Sequence, residues 1–168
     1  MLFRSESAPL PCAQANLTCT VTCNERGVLS LYSDCTEWAG TPEALTLRRA
    51  DTWNLETGYP ITASECFRRG TRVRALCLAA AREQCRRQQE SSLAVYHPDF
   101  SRRLRRNLNL RNFYLSEKGF HFFYQPWAIA PGFEGCPTFL LPFSDSETDA
   151  AGPLWPAGNP CNAEKSIV

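Results

Sequence analysis

Histidine is scarce in this chain of 168 residues, which has only His97 and His121. No apolar run approaches the roughly 20 residues that a membrane-crossing helix needs, so no membrane span is expected. The opening residues Met-Leu-Phe-Arg-Ser-Glu lack the apolar segment of a signal peptide. There is no phosphate-binding glycine loop, no nucleophile elbow and no His-Glu-x-x-His motif. Carboxylates are scattered rather than paired, and no internal repeat is present. These absences remove the usual carriers of phosphoryl transfer, hydrolysis and zinc chemistry. The expectation is a chain that is not an enzyme and holds no cofactor.

What is present is an ordinary globular composition, 43% apolar and 21% charged residues, at a length that fits one domain with a real core. The net charge of +1 hides a strong polarity along the chain. Between Arg68 and Arg111 twelve Arg face only Glu83, Glu90 and Asp99, while the rest of the chain is acidic on balance. Such a pattern gives either a solvated helix face with internal ion pairs or a patch for an anionic partner. The candidates for that patch are Arg82, Arg86, Arg102, Arg105 and Arg106. No specific nucleic-acid recognition is expected.

The nine cysteines are Cys12, Cys19, Cys23, Cys35, Cys66, Cys77, Cys85, Cys136 and Cys161. They admit three readings. Disulfides would place the domain outside the cytoplasm, with an odd thiol left free or paired between chains. Reduced thiols would fit the missing signal peptide and a cytoplasmic protein. Cys19-x-x-x-Cys23 with Cys12 nearby could begin a zinc site, but no second close pair follows, so no metal is expected. Compartment therefore stays open at this point, between cell envelope and cytoplasm.

Periodicity divides the chain. Residues 1–11 are polar with two prolines and are expected to fray. Leu17 to Cys23 alternates apolar residues with Thr, the period-two pattern of a strand. A turn at Asn24 to Gly27 leads into a second strand, Val28 to Trp38, and the pair reads as a hairpin. Gly40-Thr41-Pro42 breaks it, and Ala44 to Trp53 is a third strand that Arg48 and Arg49 mark as an exposed edge. Thr62 to Glu65 fits a capping box opening a short helix. Thr71 is expected to cap a long helix from Arg72 to Gln89, with Val73, Leu76, Cys77, Ala80 and Ala81 as its apolar stripe. Asp99 is expected to cap a shorter helix through Arg106. Phe113, Leu115, Phe120, Phe122 and Tyr124 then lie in two runs around Ser116-Glu117-Lys118-Gly119, a hairpin signal. A Pro, Gly and aromatic loop from Gln125 to Gly135 precedes a last strand, Thr138 to Phe143. Strands first, helices in the middle and strands last predict an α+β fold, an antiparallel sheet with two or three helices packed on one face. The domain is placed at 12–145, followed by a disordered acidic tail at 146–168.

The final hairpin carries a resemblance. Asn112-Phe-Tyr-Leu-Ser-Glu-Lys-Gly-Phe-His-Phe-Phe-Tyr124, then Pro126-Trp-Ala-Ile-Ala-Pro131, Gly135 and Pro142, resembles a family of bacterial domains. That family forms the extracytoplasmic C-terminal region of the anti-sigma factor RsiV, and the N-terminal part of PdaC-type peptidoglycan deacetylases. Upstream, Leu29 to Trp38 looks like the family's first central strand, and Asp51, Thr57 and Gly58 resemble its Asp/Thr-Gly turn. The resemblance covers residues 26–145. It implies a non-catalytic ligand-binding or sensor-type domain whose partner is a lysozyme-like protein or a cell-wall glycan. The deacetylase activity belongs to a domain that this chain does not show.

Within the aromatic loop, Tyr124, Trp127 and Phe133 are the binding candidates. Large aromatics in such loops bury much area at low entropic cost, unless they plug the open end of the sheet. The alternative is a cytosolic interaction protein that offers its Arg-rich helix face to an anionic partner. A third class, a cysteine enzyme, requires a Cys of depressed pKa beside a His.

Overall fold

The computed structural model describes residues 14–38 and 44–143. The expected frayed start (1–11), the break at Gly40-Thr41-Pro42 and the expected acidic tail (146–168) lie outside the described residues. Strand β1 (Gln14–Glu25) and strand β2 (Val28–Trp38) form an antiparallel hairpin, and β3 (Leu45–Asn54) pairs with the other edge of β2. The β1–β2 turn is only Arg26 and Gly27, at φ 52° and 75°, the two consecutive positive values that a tight hairpin turn of this hand requires. After a 3-10 turn (Ala63–Cys66) come α1 (Val73–Glu90) and α2 (Phe100–Asn107). A second antiparallel sheet follows, β4 (Phe113–Ser116), β5 (Gly119–Phe123) and β6 (Thr138–Pro142) in that order. The fold is α+β as expected, but the strands form two three-stranded sheets, where the sequence suggested one.

The helices cover one face of the second sheet. Between them lies an aromatic core in which the Phe113 and Phe120 rings stack at 4.9 Å and Phe67 meets Phe120 edge-on at 5.0 Å. Helix α1 turns Val73, Cys77, Ala81 and Cys85 inward, while Leu76 and Ala80 of the predicted stripe pack at its margin. Small residues on this stripe let the helix approach the rings closely. Gly119 is fixed by the same crowding. A Cβ there would lie 2.2 Å from the Leu141 carbonyl oxygen, and its φ is 145°.

Several local expectations need correction. Thr71 does not cap α1; the N-cap is Arg72, which makes no side-chain cap bond. Asp99 sits at the start of α2, but its carboxylate accepts from Arg103 Nε at 2.6 Å instead of from a helix amide. The turn after β3 falls at Asn54 to Gly58, as the composition there suggests, with Asn54 Oδ1 accepting the amides of Glu56 (2.9 Å) and Thr57 (3.1 Å) while Asp51 stays within β3. The Thr62–Glu65 box does form, with the Glu65 carboxylate accepting the Thr62 amide at 2.6 Å.

The two sheets meet where β4 runs across the inner face of the first sheet, touching all three of its strands. At the crossing, the Leu115 amide donates to Ser30 Oγ at 2.8 Å, and Ser30 Oγ lies 2.8 Å from Thr52 Oγ1, all of it buried. Ser30 and Thr52 are 0% and 3% exposed, so no water replaces a lost partner. Ser30→Ala therefore leaves a buried N–H unpaired. It is expected to cost about 1–3 kcal/mol, seen as a lower urea midpoint at unchanged slope.

Candidate functional site

Three places on the surface carry chemistry. The first is the loop after β5. Gln125 opens it by pairing with the backbone of β3: its Nε2 donates to the Arg48 carbonyl at 2.6 Å and its Oε1 accepts the Arg48 amide at 3.1 Å. Further along, the His97 amide donates to Ile129 (3.0 Å), Asn107 Nδ2 donates to the Ala128 carbonyl (2.7 Å), and Glu134 accepts the Val95 amide (2.8 Å). Ile129 and Ala130 are buried. The loop is thus anchored along its length.

On that frame the three predicted aromatics part company. Tyr124 is 1% exposed; its hydroxyl donates to the Leu104 carbonyl at 3.0 Å and its ring meets Phe139 edge-on. Burial also pushes its phenol above the ordinary range. Tyr124 is therefore a core residue, and its place among the surface candidates is corrected. Trp127 and Phe133 stand out, 53% and 79% exposed. With Ala44, Leu45 and Pro126 they border a cavity of about 240 Å³. Trp127 has φ 66°, the left-handed region that a bulky residue rarely adopts. Its indole lies so close over Gly132 that a Cβ at Gly132 would meet the ring at 2.2 Å. Glycine at this position seats the indole, and any side chain would displace it.

The second place is a cleft of about 610 Å³ between the end of β1 and the β4–β5 hairpin. Tyr32, Tyr114 and His121 of its lining belong to a column of flat groups that Arg48 closes from outside the cleft. The Arg48 guanidinium lies 4.2 Å over Tyr32, Tyr32 lies 5.0 Å from Tyr114, and Tyr114 stacks on His121 at 4.7 Å. Arg48 is held by two bonds to Asp34, each 2.7 Å. Ser116 Oγ accepts the Lys118 amide at 3.1 Å and lies 2.8 Å from His121 Nε2. The direction of the Ser116–His121 hydrogen bond follows the imidazole tautomer, since the hydroxyl can still either donate or accept. Burial, and then the charge of Lys118, hold the His121 pKa below its ordinary 6.5.

The third is the Arg-rich region. Arg102, Arg103, Arg106 and Asn107 line a groove with Asp99 on α2, about 350 Å³ in volume. Arg105 is exposed, and its carbonyl accepts from Arg74, which also binds the Leu108 carbonyl and so caps the end of α2. On α1, Arg86 pairs with Glu83 at 3.2 Å and Arg82 is half-buried. The groove brings together Arg102 and Arg106 of the predicted patch. Arg103 and Arg74 were missed as structural cations; the i, i+4 spacing of Asp99 and Arg103 was the available signal for the first, and the long-range contacts of Arg74 left none.

The seven described cysteines are free. Burial pushes the thiols of Cys66 and Cys77 up to about 12 and that of Cys85 up to about 11. These three pack as small apolar residues. Among the described residues no His, Cys, Asp and Glu cluster has the arrangement of a metal site, and no helix is long and apolar enough to cross a membrane.

Comparison with known proteins gives the following. The profile of DUF3298, a protein family of unknown function, matches residues 66–144. A crystal structure of a DUF3298 family member from Bacteroides fragilis superposes with TM-score 0.61 at 13% identity, over 82% of this chain and 54% of that one. A DUF3298 family protein from Pseudomonas aeruginosa gives TM-score 0.54 at 13% identity, over 77% and 58%. This chain thus spans little more than half the length of either. At such identity the likeness shows a shared fold. No curated protein matches.

The depressed His121 pKa has a consequence for stability. The folded chain keeps the imidazole neutral, whereas the unfolded chain takes up a proton near 6.5. The stability this site contributes is complete above that value and is lost as the pH falls through the lower folded pKa. Between about pH 7 and pH 5, wild type is expected to lose more stability than His121→Gln. Urea melts of both proteins at the two pH values measure the difference.

Proposed function

We propose that this chain is a non-catalytic ligand-binding domain of the sensor type, resembling the lysozyme-binding extracytoplasmic domain of RsiV. The observation that carries this reading is the pair Trp127 and Phe133, exposed beside a cavity on a loop that is anchored along its length. Exposed aromatics on a fixed frame bind with less backbone ordering to offset. The outward indole face suits the C–H face of a sugar ring, through the negative quadrupole of the π system, or an apolar side chain of a protein partner.

The non-catalytic part of this reading rests on the surroundings of the candidate nucleophiles. Ser116 and His121 lie within hydrogen-bond reach, but among the described residues no carboxylate bonds the other imidazole nitrogen to orient it. The raised thiols of Cys66, Cys77 and Cys85 disfavour the thiolate that a cysteine nucleophile needs.

The second reading, an Arg-lined face for an anionic partner, is favoured by the groove at Arg102 and Arg106. Of the cations lining the groove, Arg103 is shared with Asp99, while Arg102 and Arg106 make no ion pair among the described residues; attraction to such an open charged face is expected to be nonspecific and screened by salt.

The test is a titration with a lysozyme and with soluble cell-wall glycan fragments, using wild type, Trp127→Ala and Phe133→Ala. Binding to one of these probes is expected, weakened at least tenfold by each substitution, with little change in melting temperature because both side chains are exposed. Absence of binding to either probe, or binding indifferent to both substitutions, overturns the reading. Loss of binding on Arg102→Ala alone, reversed by salt, would move the function to the Arg groove.

A further inference from the structure

Sheet-forming residues alternate between two faces, and in the first sheet the apolar set faces outward. The inner face, turned toward β4, carries Ser30, Tyr32, Asp34, Arg48 and Thr52. The outer face carries Leu17 and Val21 from β1, Leu29 and Leu31 from β2, and Leu47 and Trp53 from β3. Leu17 is 69% exposed, Val21 57%, Leu47 47% and Trp53 38%. No described element covers this face. Exposed apolar residues gathered on one sheet face are the kind of surface that marks an interface.

We infer that the outer face of the first sheet is the interface of a symmetric dimer, packed against the same face of a second copy. The arrangement of charge argues for this occupant. Arg49 and Asp51 are exposed near the middle of β3, two residues apart on the apolar face, and neither has an ion-pair partner among the described residues. A two-fold axis crossing the strands at the level of Ala50 sets β3 over β3 of the other copy, running in opposite directions. It brings Arg49 over the second copy's Asp51, and Asp51 over its Arg49. The same axis sets Leu47 over Trp53, and at the level of Tyr32 it crosses the middle of β2 and of β1. On β2 it sets Leu29 over Cys35 and Leu31 over Ser33, and on β1 Val21 over Cys19 and Leu17 over Asn24. One operation thus satisfies both charges and sets Leu47 over Trp53 at the same strand, as an isologous interface requires.

Size is consistent with this occupant. Three strands about 4.8 Å apart and ten residues long at about 3.3 Å each present roughly 480 Å² of flat area per copy, more once side-chain relief is included. Two such faces approach the roughly 1,000 Å² of a specific interface. Sheets stacked face to face at about 10 Å leave room for interdigitating Leu and Trp side chains.

The experiment is sedimentation velocity on the full chain from about 1 to about 100 µM, with Arg49→Asp and Asp51→Arg. Both positions are exposed, and circular dichroism checks that each variant keeps the fold. Wild type is expected to sediment as a dimer. Each reversal alone places four like charges at the axis and is expected to weaken dimerisation at least tenfold. An equimolar mixture of the two variants restores opposite pairs and is expected to restore the dimer, which a misfolded variant would not do. A monomeric wild type throughout the range, a dimer indifferent to both reversals, or a mixture that stays monomeric overturns the proposal; the first of these would assign the face to another partner or to chain outside these residues.

Discussion

The buried hydroxyl of Ser30 is the joint on which the two sheets depend. A strand laid across the face of another sheet cannot satisfy its amides by ladder pairing with the strands it crosses. Strand β4 makes such a crossing, and its Leu115 amide is satisfied by Ser30 Oγ, itself supported by Thr52. With that point fixed, Tyr32 and Tyr114 come into ring contact, the Arg48–Asp34 pair closes over Tyr32, and the cleft containing His121 acquires its floor. A buried hydrogen bond contributes modestly when made and costs more when broken, so this joint specifies the crossing more than it drives folding. The driving force lies on the other side of β4 and β5, in the rings packed beneath α1 and α2.

The strand edges follow a common logic. Exposed backbone groups at a sheet edge invite pairing with other chains. In the second sheet, Gln84 of α1 lies against β6, its side-chain amide making both bonds to Leu140 at 2.8 and 3.1 Å. In the first, Gln125 does the same for β3 at Arg48. Each glutamine stands in for one residue of a missing strand. The Gln125 contact also ties the aromatic loop to the first sheet, which is why Trp127 and Phe133 are held beside Leu45 and the cavity they share. The ligand-binding reading and the architecture of the edges are therefore not independent. Both rest on a loop whose backbone is anchored while two of its rings are left in solvent.

Much of the local structure was legible because it rests on short-range rules. Alternation marked β1 to β3, the spacing of Val73, Cys77 and Ala81 marked the inner stripe of α1, and Ser116 to Gly119 marked a hairpin whose glycine has both the backbone angle and the lack of a Cβ that the site demands. The cap expected at Thr71 falls one residue later, at Arg72, and Asp99 stands at the N-cap of α2 without making a side-chain cap bond. Asp99 had a charged partner one helical turn away in Arg103, and an ion pair of good geometry replaced the cap. The Arg-rich run showed a charged surface but not how far it was already committed to pairs with Glu83 and Asp99 and to the carbonyls at the end of α2.

By itself the sequence determined which segments are strands and helices, where the tight turns fall and which helix stripe is apolar, since these follow from periodicity and backbone sterics within a few residues. Tertiary structure alone decided that the strands divide into two sheets, that the Thr and Ser face of the first sheet turns inward while Leu17, Val21 and Leu47 turn out, and that Tyr124 is buried while Trp127 is not. A period of two reveals that a strand has two faces but carries no sign. The sign was set by the element crossing it, β4, whose amide required a hydroxyl where an aliphatic side chain would have left it unpaired.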